Sequence, residues 1–332
     1  MQHRSNLHAN NVGKTVATDA EGIPGASADS SKYRARRIIR RMTSDANTLR
    51  TLDLPAGPAM PVLGLGTWRL GEDPARRAAE VAAVRAALRM GYRLIDTAEM
   101  YGDGGAEEVV GRAIAEAIDA GEVRRDSLYV VSKVLPHNAS RRGTAQACAR
   151  SLARLGLARV DLYLLHWRGP HRLADTVAAL EALVADGLTG AWGVSNFDTD
   201  DMAELAEVPG GDRCATDQVY YSIAERGPEF SLAPWLRARG QALMAYSPID
   251  QGALASDRAL TALAEARGAT AAQLALARLL AEPGVVAIPK AVREAHLREN
   301  LAAASIALSA EDIAAIDRLR PRPKRKTPLA MI

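Results

Sequence analysis

From Thr51 onward the chain alternates two hydrophobic periods. Short apolar runs recur near Leu63, Arg93, Tyr129, Leu162, Gly190, Thr216, Ala242 and Val285 and read as strands. Between them lie Ala-rich stretches with helical spacing, at 74–91, 105–121, 142–156, 173–187, 228–240 and 269–284. Several close on Gly, which adopts the left-handed cap of a helix without a side-chain clash. Ahead of the first full strand, TLDLPAGPAMPVLGLGTW (51–68) predicts a short hairpin turning at Ala56-Gly57-Pro58, then a strand ending near Trp68. Eight strands alternating with helices over about 270 residues predict one parallel sheet closed as a (β/α)8 TIM barrel, with the hairpin closing its floor. An open doubly wound sheet fits less well. Its first turn would carry three glycines, and here Gly64-Leu65-Gly66 is followed by Arg69 where the third should stand.

Composition sharpens the boundaries. The barrel is assigned to 48–320 and a C-terminal tail to 321–332. Residues 1–47 are polar and lack a steady period, and are expected to be a disordered basic extension. Residues 1–50 hold nine Lys/Arg and four Asp/Glu, or +5, so the remainder of a chain of net +3 carries −2. That balance argues against a nucleic-acid-binding barrel. Within the extension, RARRIIRR (34–41) reads as a solvated basic tail, with a nucleic-acid or membrane-surface patch as the alternative. It contains a paired arginine, but no apolar run follows to make an export signal, and Met42 is an alternative start. No apolar run approaches the ~20 residues of a membrane helix. Cys148 and Cys214 are too few for a disulfide framework and read as buried free thiols of a cytoplasmic protein. His137, His166 and His171 have no metal-ligand spacing.

The candidate chemistry sits at the ends of strands. YRLIDTAEMYG (92–102) runs from an apolar strand to Asp96 and then, five residues on, to Tyr101. LYVVSK ends on Lys133 and DLYLLH on His166. Strands of a barrel deliver their carboxyl ends to one face, so these four side chains are predicted to converge there. Tyr129 and Lys133 also form a Tyr-x-x-x-Lys spacing. That pair acts together on a helix, whereas in a strand its members lie roughly 13 Å apart.

These segments in this order resemble the aldo-keto reductases, from about Thr51 to the C-terminus. The resemblance rests on LGLGTW (63–68), GVSNF (193–197), DQVYY (217–221), AYSP (245–248), IPK (288–290) and Glu299-Asn300 around the four polar residues. More narrowly, VSKVLPHNA, the stretch Leu232 to Leu236 and the ending PKRKTPLAMI resemble bacterial reductases of methylglyoxal and other small aldehydes. The resemblance implies a catalytic tetrad of Asp96, Tyr101, Lys133 and His166, with Tyr101 as general acid. Lys133 would lower the tyrosine pKa, Asp96 would hold Lys133 charged, and His166 would orient the substrate oxygen.

It also implies NADPH, with NADH a weaker alternative. Ser195, Asn196 and Gln218 would hold the nicotinamide amide, and Tyr246 would stack on its ring. Gly66, Thr67, Trp68 and Asp96 would line the site. Ser247, Ile249, Gln251 and Gly252 would cover the pyrophosphate. Lys290 and His296 would face the 2′-phosphate, and Glu299 and Asn300 the adenine. Two departures from the family pattern weaken selection for NADPH: Ala291 stands where Ser or Thr is common, and His296 where Arg is. Arg293 and Arg298 are close enough in sequence to compensate. Trp68, Tyr101, His166 and Trp167 would meet a small carbonyl substrate. The short loops after Lys133 and Trp167, together with the C-terminal tail, would set its size. The alternative implied by the same fold is a cofactor-holding redox sensor with slow turnover. By association with the family, the protein is expected to be a monomer.

Overall fold

The structure is a computed structural model that describes residues 49–332; the expected disorder of 1–47 lies outside the described residues. A hairpin comes first, β1 (Thr51–Leu52) pairing antiparallel with β2 (Met60–Pro61). Eight strands then form one sheet in sequence order: β3 (Gly64–Gly66), β4 (Leu94–Asp96), β5 (Tyr129–Val134), β6 (Val160–Leu165), β7 (Thr189–Ser195), β8 (Thr216–Tyr220), β9 (Ala242–Tyr246) and β10 (Val285–Ala287). All neighbours are parallel. Parallel bridges Leu63–Ala287 and Gly66–Lys290 join the first strand to the last and close the barrel. All eight strands lie where the apolar runs predict them.

Strand parity decides what enters the barrel. A parallel strand buried on both faces is apolar throughout, and alternate residues point to opposite sides. Leu94, Tyr129, Val131, Leu162, Leu164, Met244 and Val286 pack together inside, while Ile95, Val130, Tyr163 and Val194 join the cluster under the helices. Asp96 shares the parity of Leu94, and Lys133 that of Val131, so both polar side chains turn inward at the carboxyl end. Ser132 has the opposite parity and donates to Glu107 Oε1 at 2.5 Å on the helix side.

Ten helices cover the described barrel: α1 (Arg77–Met90), α2 (Gly105–Asp119), α3 (Arg141–Leu155), α4 (Leu173–Ala185), α5 (Thr199–Glu207), α6 (Leu232–Arg237), α7 (Arg258–Glu265), α8 (Ala271–Leu280), α9 (Glu294–Ala303) and α10 (Ala310–Leu319). The periodic stretches predict α1 to α4, α6 and α8 but omit α5, α7, α9 and α10. Three of those omitted start on side-chain caps that the sequence carries, Asp198, Asp257 and Ser309. The helix expected over 228–240 shrinks to α6 because Gly227–Glu229 forms a separate 3-10 turn containing Pro228. No helix of the described residues is long and apolar enough to cross a membrane.

The hairpin lies on the barrel floor, where Leu52 and Leu54 pack against the interior cluster. Its turn requires glycine. Gly57 has φ +81°, and a Cβ there would come within 2.7 Å of the Ala191 side chain.

Candidate active site

At the opposite end, Asp96 is the last residue of β4, Lys133 lies one residue before the end of β5, and His166 directly follows β6. Tyr101 opens a 3-10 turn, Tyr101–Gly104, that returns the chain over the end of β4. The four predicted residues meet. Lys133 Nζ donates to Asp96 Oδ2 at 2.7 Å, to the Thr97 carbonyl at 2.9 Å and to the Tyr101 hydroxyl at 3.2 Å. Asp96 Oδ1 accepts from Gln218 Nε2 at 2.8 Å. The His166 ring meets the Tyr101 ring edge-on, centroids 5.7 Å apart.

Lys133 and Asp96 are almost wholly withdrawn from solvent. Burial by itself drives Lys133 toward neutrality, but the adjacent Asp96 carboxylate and the contact with Tyr101 outweigh it and hold the lysine above its ordinary value. Burial pulls Asp96 upward against Lys133 and Gln218, but three acceptors meet the three ammonium hydrogens and Asp96 accepts two donated bonds, an arrangement that satisfies the charged pair. Tyr101 feels the expected pull of Lys133 and an opposing one. Lys133 does pull its pKa down, but burial pulls harder the other way, and the net direction is upward. His166 falls well below the ordinary histidine value, through burial first and the Lys133 charge second. It is therefore neutral, and its buried Nδ1 has no partner among the described residues.

A second network continues from the first. Ser195 Oγ donates to the Gln218 carbonyl at 2.7 Å. Asn196, held at φ +60°, donates from Nδ2 to the His166 carbonyl and to Ser195 Oγ, both at 3.1 Å, and accepts from the Tyr246 hydroxyl at 3.0 Å. Tyr246 is stacked by Tyr220, centroids 5.9 Å apart and planes 19° from parallel.

These groups border a cleft of about 680 Å³, within the ~300–1,000 Å³ typical of small-molecule and cofactor sites. It runs from Tyr101, His166, Trp68 and Trp167 to Lys290, His296, Glu299 and Asn300. Gly66, Thr67, Asp96, Ser195, Asn196, Gln218, Tyr246, Ser247, Ile249, Gln251 and Gly252 lie along it. Lys133 alone of the predicted site residues does not border the cleft; it stands behind Asp96 and Tyr101. Around Lys290, burial first and then Arg76 and Arg69 depress the lysine pKa, against Glu80 and Glu72, which raise it.

Other expectations fail locally. Arg293 borders the cleft, but Arg298 does not, and instead pairs with Glu294 at 2.9 Å on the surface. The loops after Lys133 and Trp167 do not line the cleft. Pro136 and Ala139 meet Arg168, Gly169 and His171 around a separate small cavity, and Arg168 is bound to Asp201 and Glu204. Of the three segments expected to set substrate size, the tail reaches the cleft, through Met331 and Ile332. Sequence reasoning missed Arg69 and Met100 as lining residues. Arg69 sits at φ +66° with its guanidinium 4.4 Å from the Trp68 ring centroid, a placement no local pattern announces.

A model of the Aldo/keto reductase family matches residues 62–321. The chain is 44% identical to "Methylglyoxal reductase YeaE" of Escherichia coli, over 82% of this chain and 96% of that one. It is 37% identical to "Glyoxal reductase" of Bacillus subtilis, over 81% and 92%. A Klebsiella pneumoniae aldo-keto reductase crystallised with NADPH superposes with a TM-score of 0.80 at 46% identity, over 86% of this chain and all of that one. With the barrel, the strand-end residues and these matches in agreement, the chain belongs to the aldo/keto reductase family.

Proposed function

We propose that the protein is an NADPH-dependent reductase of small aldehydes and 2-oxoaldehydes such as methylglyoxal, or of ketones, with Tyr101 as general acid. The observation that carries the proposal is the sharing of the Lys133 ammonium between Asp96 Oδ2 and the Tyr101 hydroxyl, beside a neutral His166. The printed names of the E. coli and B. subtilis relatives support the substrate class, and the Klebsiella complex supports the cofactor.

The cleft fits a dinucleotide. Gly252, at φ +99°, leaves open space where a side chain would stand, and α9 presents its N-terminus at Arg293 with no side-chain cap, a favourable setting for an anion. Bound NADPH would supply hydride. Gln218 spends its amide nitrogen on Asp96, which leaves its oxygen to accept from a carboxamide, beside Ser195 and Asn196. Tyr246 has Tyr220 on one face and offers the other to the nicotinamide ring. Gly66, Thr67 and Trp68 wall the site, while Ser247, Ile249, Gln251 and Gly252 border the pyrophosphate. Lys290 and His296, with Arg69 and Arg293 near, take the adenosine phosphate, and Glu299 and Asn300 the adenine.

Negative charge grows on the carbonyl oxygen during reduction, and Tyr101 delivers the proton it needs. Burial keeps the phenol protonated, and Lys133 limits how far its pKa climbs. A neutral His166 can donate one N–H to the same oxygen without competing as the acid. Trp68, Trp167 and Met100 surround a small substrate, with Met331 at the rim. The buried thiols, Cys148 pushed up to about 11 and Cys214 pushed higher still, suit a reducing cytoplasm. The test is nicotinamide consumption from NADPH and, separately, NADH, against methylglyoxal, a simple aromatic aldehyde and a keto-sugar. Rapid NADPH loss with the small aldehydes is expected. Tight binding without turnover on any of them would instead identify a redox sensor.

A further inference from the structure

Six non-glycine residues among those described have positive φ, and four of them, Arg69, Asn196, Ser247 and Gln251, border the cleft. A fifth, Asp250 at φ +51°, lies in the same segment as Ser247 and Gln251, between β9 and α7. With Gly252 at φ +99°, four of the six residues 247–252 are left-handed. Such backbone is costly for residues with side chains and persists when something outside the segment holds it. Besides the bonds internal to the 3-10 turn Asp250–Ser256, the backbone there is tied by Asp250 N to the Ser247 carbonyl and Gly252 N to the Ile249 carbonyl, both 2.9 Å, and by Leu254 N to the Ile249 carbonyl at 3.4 Å. From outside, Ile249 packs against two apolar clusters, and the side-chain hydrogen bond that reaches the left-handed stretch is donated by the Tyr220 hydroxyl to Asp250 Oδ1.

Tyr220 is well placed to act as an anchor. It ends β8, is buried, pairs in register with Tyr246 and stacks on it. The contact also has an electrostatic consequence. Ser247, Ile249, Gln251 and Gly252 face the cleft, whereas Asp250 does not. Held by Tyr220, its carboxylate is turned away from a channel proposed to take a pyrophosphate. Released, the same carboxylate would be free to approach that anion and repel it.

We infer that the Tyr220–Asp250 hydrogen bond latches segment 247–252 over the cofactor, making both residues positioning residues for NADPH retention. The inference rests on the reading of the cleft as an NADPH site. One phenol thereby couples the two halves of that site, since the ring backing Tyr246 also fixes the segment bordering the pyrophosphate.

Stopped-flow NADPH binding, read by nicotinamide fluorescence, tests the latch. Tyr220→Phe keeps the stack and removes the donor; it is expected to release NADPH about tenfold faster. Asp250→Asn still accepts from the phenol and tolerates left-handed backbone, and should stay within about twofold of wild type. Combining Asp250→Gly with Tyr220→Phe should restore slow release, because glycine needs no tie to hold this φ and carries no charge. Release from Tyr220→Phe within twofold of wild type overturns the latch. Fast release that Asp250→Gly does not rescue also overturns it, since Tyr220 would then act by packing under Tyr246 alone. Should Tyr220→Phe fail to fold, Asp250→Ala in the intact barrel asks the same question, with fast release expected and wild-type release contrary. Failure of the wild-type protein to bind NADPH would defeat the cofactor reading itself, before any variant is compared.

Discussion

A buried phenol beside an ammonium is pulled two ways, and Tyr101 shows which pull prevails. Burial raises its pKa and Lys133 lowers it, with a net rise. A general acid must keep its proton at working pH, so the rise preserves the active form while Lys133 keeps transfer from becoming too costly. Tyr101→Phe should abolish nearly all reduction and leave NADPH binding almost unchanged, as equilibrium fluorescence titration would show. Lys133→Met removes the downward pull. Its rate should fall by ~10²–10⁴, and the alkaline limb of kcat/KM against pH should move upward, because the unassisted phenol titrates later. A limb that stays in place while the rate falls would assign Lys133 to scaffolding alone. None of these directions could be read from residue order, because desolvation is a property of the packed site.

At the scale of elements, the strands were legible and four of the ten helices were not. Strands buried on both faces are apolar runs whatever surrounds them, so all eight show in the sequence. Helices α5, α7 and α10 are amphipathic but only 9, 8 and 10 residues long, shorter than the ~11–18-residue window over which a helical period is read. Their start signals are strong. Asp198 accepts from the Asp200 and Asp201 amides at 2.8 and 3.0 Å and forms a capping box with Asp201. It stands two residues after Asn196, so α5 steadies the end of β7 in the site. Asp198→Ala should cost about 1 kcal/mol in urea denaturation, with weaker NADPH binding if the fraying reaches Asn196. A stability unchanged within a few tenths of a kcal/mol would mean that the ion pair of Lys326 with Asp200, at 2.6 Å, and the remaining first-turn groups suffice.

For the whole molecule, barrel closure is reinforced outside the sheet by a charge network. Arg278, buried in α8, donates to Asp317 Oδ1 at 3.0 Å on α10, and Arg226, also buried, reaches the same oxygen at 2.8 Å from the segment after β8. One carboxylate thus joins three parts of the chain that lie far apart in sequence. Although burial alone would raise Asp317, the two arginines hold it below its ordinary value. Its stabilisation is therefore complete above the pKa of the unfolded chain and fades as pH falls through the lower, folded value. Arg278 keeps Glu282 and Arg226 keeps Glu229, so Asp317→Asn removes charge-assisted hydrogen bonds without stranding either guanidinium and should cost about 2 kcal/mol near neutrality. The difference from wild type should narrow in acid, as thermal melts across pH would reveal. A difference independent of pH would argue that the loss is one of packing.

Sequence alone determined the barrel, its hairpin and the convergence of Asp96, Tyr101, Lys133 and His166. Those follow from local periods of two and 3.6 residues, and from the rule that parallel strands deliver their carboxyl ends to one face. Strand parity, also readable in the sequence once β4 and β5 are known, turns Asp96 and Lys133 inward. Only the tertiary structure decided the rest. It placed Arg69 and Met100 on the cleft, kept Arg298 and the two short loops off it, and tied Tyr220 to Asp250. Those outcomes depend on contacts between residues distant in the chain and on left-handed backbone at residues that are not glycine. Neither leaves a periodic trace in a single sequence.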